Sequence, residues 1–449
     1  MALKVLSPTA ILGYGFPEES FMNGIKMSPD VISVDAGSSD PGPYYLGVGK
    51  AFTDRTGVKR DLRYMLKEGV KRKIPVIIGT AGGSGAKPHL KWCEEIIREI
   101  AREEKLSFKM GIIPSDVEKK EVISALKKGK IKSLQYVPHL TEKTIEESLN
   151  IVAQIGYEPI IKALEKKCDV VLCGRAYDPA VFSALPIMKG YSPGLATHMG
   201  KILECAAIAA TPGSGADAVL GTIYEDRFVL ETLSNKRKFT KESTAAHSLY
   251  EKSDPYFLHG PGGILNLTGT SFKEIPPNKV EVRGSKFERG EKYFVKLEAA
   301  RKVGYRTVSI AGVRDPILIK SINKTIEEVQ KRVEDILKNE NIKGKALFHL
   351  YGVNGVMGAD EPVKNTTSHE ICVVIEAVSD TQEKANTICS ITRSTLLHYG
   401  YPGRISTAGN LAFPFSPSDI KAGEVFEFSI YHLMEIEDPA MFETRVVNI

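Results

Sequence analysis

VISVDAGSSDPGPYYLG, residues 31–47, carries an apolar strand straight into an aspartate, then into a loop of Gly, Ser, Asp and Pro that cannot continue as a helix. Taken alone, it is a turn, because Asp side chains bond nearby backbone N–H groups. As the C-terminal end of a strand in an α/β sheet, it is where such folds place their working groups. The surrounding segments decide which setting applies.

On both sides the chain alternates strand and helix. VKRDLRYMLKEGVKRK (58–73) sets Val58, Leu62, Met65 and Leu66 on one helical face, and IPVIIG (74–79) is the next strand. HLKWCEEIIREIAREE (89–104) is a helix, FKMGII (108–113) a strand, and Val117, Val122, Ile123 and Leu126 mark another helix. Thr144 and Glu147 form a capping box for a helix expected to stop at Gly156. DVVLCG (169–174) is a strand, followed by Asp178 as N-cap with Pro179 in the first turn. Ser192-Pro193 repeats that signal before a helix running to about Ala210. The alternation implies an α/β domain over 1–215, built on a mostly parallel sheet covered by helices.

Residues 216–304 read as a β-rich segment of short strands and polar turns. From 305 to 449 the order is βαββαβ, a ferredoxin-like α+β domain. Its second helix is expected to start at an Asp380/Glu383 cap and stop at Gly400, and VFEFSIYHLMEI is its final strand.

Composition excludes several classes. At 449 residues the chain exceeds one ordinary core, and 42% hydrophobic with 26% charged residues is globular. Apolar runs fall short of the roughly 20 residues a membrane helix needs. MALKVLSPTAILGYGF does not have the pattern of a signal peptide, so a cytoplasmic protein without membrane association is expected. The net charge of +5 arises from 60 basic and 55 acidic residues, interleaved. Even the basic stretch 119–132 suits a solvated helix face better than a nucleic-acid groove, so no nucleic-acid partner is expected. Six cysteines without a CxxC pair argue for reduced thiols and against a zinc ribbon.

Three other strand ends join the opening stretch. ILGYGFPEES brings Gly13, Gly15 and a Pro17-started helix turn. VIIGTAGGSGAKPH brings Gly82, Gly83, Ser84 and Gly85 before a helix, and VLCGRAYDPA brings Gly174, Arg175 and Asp178. In a parallel sheet these loops share one edge, and with Ser38 and Ser39 they can present N–H and hydroxyl groups to an anion. Neither a Walker loop nor the dinucleotide fingerprint is present. Asp35, with no local duty, is the first acid/base candidate; Asp40, before Pro41, is the second. Arg175 follows an apolar strand and a glycine, a natural position for a fork on a substrate carboxylate or for an ion pair with Asp35. His89 can serve as an acid or base, or be a surface histidine of a first helical turn. His198, Lys201, Glu204 and Cys205 lie on THMGKILECAA, where a core histidine and packed cysteine compete with a catalytic pair. Arg404 and Asn410, in YPGRISTAGNLAFPFSPSDI (401–420), complete the substrate-binding candidates; interdomain packing is the alternative.

SPTAILGYGFPEESF, DAGSSDPGPYYLG, IIGTAGGSGAKPHL, VLCGRAYDPAVFSALP, GKILECAA and GRISTAGNLAFPFSPSDI together resemble the AtuA-like family, named for acyclic terpene utilisation. The resemblance spans about residues 5 to 425 and implies bacterial catabolism of branched terpenoid acids and their CoA thioesters. The expected activity is turnover of a small branched carboxylic acid or its CoA thioester by lyase or hydratase chemistry. No nicotinamide or flavin motif is evident. The rivals are a hydrolase using Asp35, Asp40 and Asp178 around a divalent metal, and a non-catalytic ligand-binding or scaffolding subunit. A homo-oligomer is expected, with a small partner protein as an addition to it.

Overall fold

The computed structural model of the chain describes residues 2–37, 41–365 and 368–449. It divides into two compact units, Met1–Arg301 with Phe428–Ile449, and Lys302–Glu427.

The first unit is built on a ten-stranded sheet. Its centre is five parallel strands in the spatial order Leu3–Ser7, Val31–Val34, Val76–Ile78, Val170–Cys173, Lys109–Ile113. Antiparallel strands extend both flanks, so the sheet is mixed rather than mostly parallel. Val219–Ile223, Arg227–Thr232, Lys279–Arg283 and Ser271–Ile275 continue from Leu3–Ser7, and Arg445–Asn448 pairs with Lys109–Ile113. The β-rich stretch thus supplies four strands to the same sheet, and a strand follows the one expected to be last.

The central strands are apolar on both faces, as strands under two helical layers must be. Val5, Ile77 and Val171 join one core with Phe182 and Met199. Leu6, Val76, Ile78 and Leu172 join the other with Leu62, Met65 and Ile96. Leu62 and Ile96, from helices Arg55–Arg72 and Lys87–Glu104, are fully buried, and truncating either to Ala should cost ~2–5 kcal/mol.

Three local expectations are corrected. The helix begun near Thr144 ends at Glu147, capped by Thr141, because Leu149–Gln154 is claimed by antiparallel pairing with Tyr293–Val313. The helix after Ser192 does use that hydroxyl as cap but stops at Leu203, followed by a 3-10 turn over Ala206–Ala209. Helix Gln382–Leu397 is capped by Thr381, whose hydroxyl accepts the Lys384 N–H, rather than by Asp380.

In the second unit the elements run in βαββαβ order, from Tyr293–Val313 through Asp419–Ile436. The sheet order is Lys345–Tyr351, Ile371–Ser379, Tyr293–Val313, Asp419–Ile436. Helix Pro316–Asn339 starts where Asp315 accepts the N–H groups of Ile317 and Leu318, and buries Ile322, Val329 and Val333 against Val373 and Ile375. Among the described residues no helix is long and apolar enough to cross a membrane.

Candidate functional site

Because the central strands run parallel, the residues just after Ser7, Val34, Ile78 and Cys173 fall on one edge of the sheet. The loops there are stitched to one another. The Asp35 carbonyl accepts the Leu12 N–H at 2.9 Å, and Gly37 bridges to Gly83. Thr80 Oγ1 accepts the Ala176 N–H at 3.1 Å, and Ser115 Oγ accepts the Arg175 N–H at 2.6 Å. Gly85 sits so close that a Cβ there would lie 2.1 Å from the Arg175 nitrogen, and its φ of +71° is one that side chains rarely adopt.

A cavity of about 180 Å³ opens at this edge, lined in part by Ala10, Tyr14, Asp35, Arg175, Asp178, Glu204, Cys205 and Glu251. Four of these are acids. Asp35 is 5% exposed, and its Oδ1 accepts the N–H groups of Ala36 at 2.8 Å and Gly37 at 3.1 Å. Burial, then the charges of Asp178 and Glu204, raise its pKa well above the ordinary carboxylate range; Arg175 and the Gly37 N–H oppose them. Glu204 is equally buried. Its Oε1 accepts from Lys201 Nζ at 2.6 Å, while Oε2 has no hydrogen-bond partner among the described residues. Burial pushes Glu204 up to about 8 against the pull of Lys201, and Asp178 adds to the rise. The Cys205 thiol is also held up by burial and by Glu204, which keeps it protonated and a poor nucleophile at neutral pH.

Arg175 is the hub of the floor, but its fork is filled from within the chain. Nε donates to Glu298 Oε2 at 2.9 Å and Nη2 reaches Oε1 at 3.5 Å. Nη1 donates to the Ala176 carbonyl at 2.7 Å, to Asp178 Oδ1 at 3.0 Å and to Thr80 Oγ1 at 3.3 Å. Lys296 Nζ lies 2.8 Å from Glu298. Burial alone would raise Glu298, but Arg175 and Lys296 outweigh it and hold this acid down at about 2. Asp178 is therefore not an N-cap. It is the first residue of helix Asp178–Met188, and its carboxylate turns to Arg175.

The other candidates fall elsewhere. Gly13 and Gly15 do form an anion-binding turn, and the anion is the chain's own Asp61, whose Oδ2 accepts both N–H groups at 2.8 and 3.0 Å. Gly82 packs on His89, Gly83 on Phe52, and Gly174 on Ser115. Neither His89 nor Ser84 lines the cavity. His89 Nε2 lies 3.2 and 3.0 Å from the carbonyls of Tyr45 and Lys50, so that nitrogen carries the proton, and burial lowers the pKa of the ring. Arg404 is tied to Asn410, Ser406 and the Ala408 carbonyl, while Asn410 caps the carbonyls of Leu396 and Tyr399, all within the second unit. Ser38, Ser39 and Asp40 lie outside the described residues.

His198 is a core histidine, between Ser285 and Ser248 and edge-on to Phe228. Of the acids expected around a divalent ion, Asp178 is bound by Arg175. Among the described residues no group of three His, Cys, Asp or Glu side chains is arranged to hold a metal. Glu298 was not expected at the site at all; a glutamate between Leu297 and Ala299 on a buried strand was its only signal.

Neither a curated protein nor a solved structure gives a significant match to this chain. The family model described as acyclic terpene utilisation family protein AtuA matches residues 52–217 and 227–415. These two segments carry the Gly82–Gly85 loop, Arg175, Asp178, Glu204 and Glu298, and cover most of the sequence. The chain belongs to the acyclic terpene utilisation family AtuA.

Proposed function

We propose that the protein is an enzyme that moves a proton beside the carbonyl of a small branched acyl thioester, in hydratase or lyase chemistry. One observation carries the reading: two desolvated carboxyls, Asp35 and Glu204, line the same cavity. Two acids whose surroundings differ divide the labour. Asp35 is the base at the α-carbon in this reading: two N–H groups and Arg175 support its ionised form against the burial and the charges of Asp178 and Glu204 that raise its pKa. Glu204 keeps its proton to about pH 8 and acts as acid toward the β-oxygen. In the eliminating direction the α C–H and β C–O bonds break, a C=C bond forms, and water leaves with the Glu204 proton. The scheme uses no bound metal or cofactor.

The acidic lining also selects the substrate. Arg175 is already engaged by Glu298 and Asp178, and Lys201 by Glu204 and Glu251, so a free carboxylate would meet an acidic lining whose neighbouring cations are already committed. A thioester carbonyl is neutral and avoids that cost. Membership of a terpene-utilisation family supports a branched acyl chain. The βαββαβ unit is, in this reading, a ferredoxin-like module.

Incubation with branched enoyl and 3-hydroxyacyl thioesters in deuterated water, followed by mass spectrometry, tests the scheme. Deuterium at the α-carbon or gain or loss of water is expected, and should vanish in Asp35→Asn and Glu204→Gln. Neither reaction with any such thioester would overturn it.

A further inference from the structure

A second cavity, of about 660 Å³, lies on the same edge of the sheet as the acidic one. Its position follows from the strand register. Ser7 pairs with Val219, Val219 with Thr232, and Glu231 with Lys279. Arg227–Thr232 therefore runs parallel to Leu3–Ser7, two strands away, and its last residue sits roughly 10 Å along the edge from Ser7. The two cavities also share flanking chain. Tyr14 and Ile208 line the first, while Pro17 and Thr211 line the second. The members of each pair are three positions apart, a span of at most about 11 Å.

The second cavity has the opposite charge. Its wall is the loop SNKRK, residues 234–238. Arg237 is spent on structure: Nε donates to the buried Asp217 at 2.9 Å and Nη1 to the Pro212 carbonyl at 2.7 Å. That anchoring fixes the loop, and Lys236 and Lys238 on either side of it are exposed. Their ammonium groups make no ion pair among the described residues. The start of helix Glu18–Lys26 also lines the cavity, through Pro17, Glu19 and Ser20, with no side-chain cap on its first N–H groups. The buried Ser20 hydroxyl beneath has no partner among the described residues. The acid in the lining, Glu19, is exposed and free to turn to solvent. Unpaired lysines lining the same cavity as an uncapped helix N-terminus form a setting for phosphate.

We infer that this basic cavity holds the phosphate-bearing end of the ligand whose reacting acyl end enters the acidic cavity. The assignment of the acyl end rests on the function proposed above; the phosphate site rests on the lysines, the helix start and the cavity. A neutral acyl group in a cavity this small offers little binding energy, and a charged tail held nearby supplies the anchorage. An extended pantetheine-length arm spans the interval, whereas a short free acid cannot engage both ends.

The test uses two phosphate probes without any acyl group, adenosine 3′,5′-bisphosphate and inorganic pyrophosphate. Calorimetry at low and high salt would compare wild type with the double variant Lys236→Ala/Lys238→Ala. Binding of at least one probe is expected, weakening with salt and falling ~10-fold or more in the variant at unchanged melting temperature. Preference for the bisphosphate identifies a nucleotide tail, and preference for pyrophosphate a diphosphate ester. If neither probe binds, or the variant binds as wild type does, the inference fails. Turnover of N-acetylcysteamine thioesters, which carry no phosphate, reports on Asp35 and Glu204 alone and separates that failure from a failure of the two-acid scheme.

Discussion

Lys201 Nζ donates to Glu204 Oε1 at 2.6 Å within a single turn of chain, yet Glu204 remains a weak acid with a pKa of about 8. Burial of the carboxylate and the crowding of Asp178 outweigh one lysine. The consequence is a carboxyl that carries its proton at neutral pH next to a cavity.

That proton should be visible in stability. Glu204 holds it more tightly in the folded chain than in the unfolded one, where it leaves near 4.5, so its contribution to stability falls as pH rises toward 8. Asp35 acts with the same sign. Buried neutral histidines act oppositely: His198, lowered to about 3, and His247, to about 4, add stability as pH rises to about 6.5. The decline from the acids should emerge between about pH 7 and 8.5. Melting temperatures across that range should fall in wild type and flatten in Glu204→Gln. An equal slope in both proteins would refute the assignment.

Asp35→Asn keeps an oxygen for the N–H groups of Ala36 and Gly37 and removes a charge crowded by Asp178 and Glu204. Turnover should drop ~100-fold or more, as for a lost general base, with stability at pH 8 unchanged or higher. Kinetics paired with thermal melts would check this; a variant that loses activity only by unfolding would argue for a structural aspartate.

Arg175 behaves differently. Arg175→Ala strands Glu298 with Lys296 as its remaining cation and should cost ~3–5 kcal/mol in urea denaturation. Arg175→Lys keeps the charge but loses the fork on Glu298, so its cost should be smaller. A full-strength fold in Arg175→Ala would return this arginine to a role on ligand.

Asp61 offers a control for the glycine turn. Asp61→Ala leaves the N–H groups of Gly13 and Gly15 without their acceptor, at ~1–3 kcal/mol for each buried donor. Asp61→Asn should lose less. Neither should change KM, because the turn is occupied by the chain's own carboxylate; a KM effect without loss of stability would place substrate there.

The sheet was legible because its evidence is local. VVLC is apolar at every position and VISV at all but Ser33, the pattern of a strand covered on both faces, and each is followed by glycine and a helix signal. Parallel order then implies one edge for all the loops, so the pattern of strands and helices alone groups Asp35 with Arg175. Periodicity failed where pairing partners compete for the chain. Residues 149–154 look like a helix end, and become a strand because a long strand nearly 150 residues later needs a neighbour.

The chemistry of each candidate was settled by groups distant in sequence. Arg175 is an anion-binding side chain by its nature, but its anion is Glu298, 123 residues away. The turn at Gly13 and Gly15 is an anion cradle by its nature, but its anion is Asp61. Glu204 directly follows the last turn of an apolar helix, with a lysine three residues back, a pattern that reads as a simple ion pair. Folding brings the charge of Asp178 to bear on it, and desolvation together with that like charge raises its pKa to about 8, which is what the proposed role of proton donor requires. Residue types and strand ends set the inventory of groups at this edge. Which of them neutralise one another and which are left to act depends on charges and burial contributed by strands that meet only in the folded chain, because Coulomb energy and desolvation follow distance in space rather than separation in sequence.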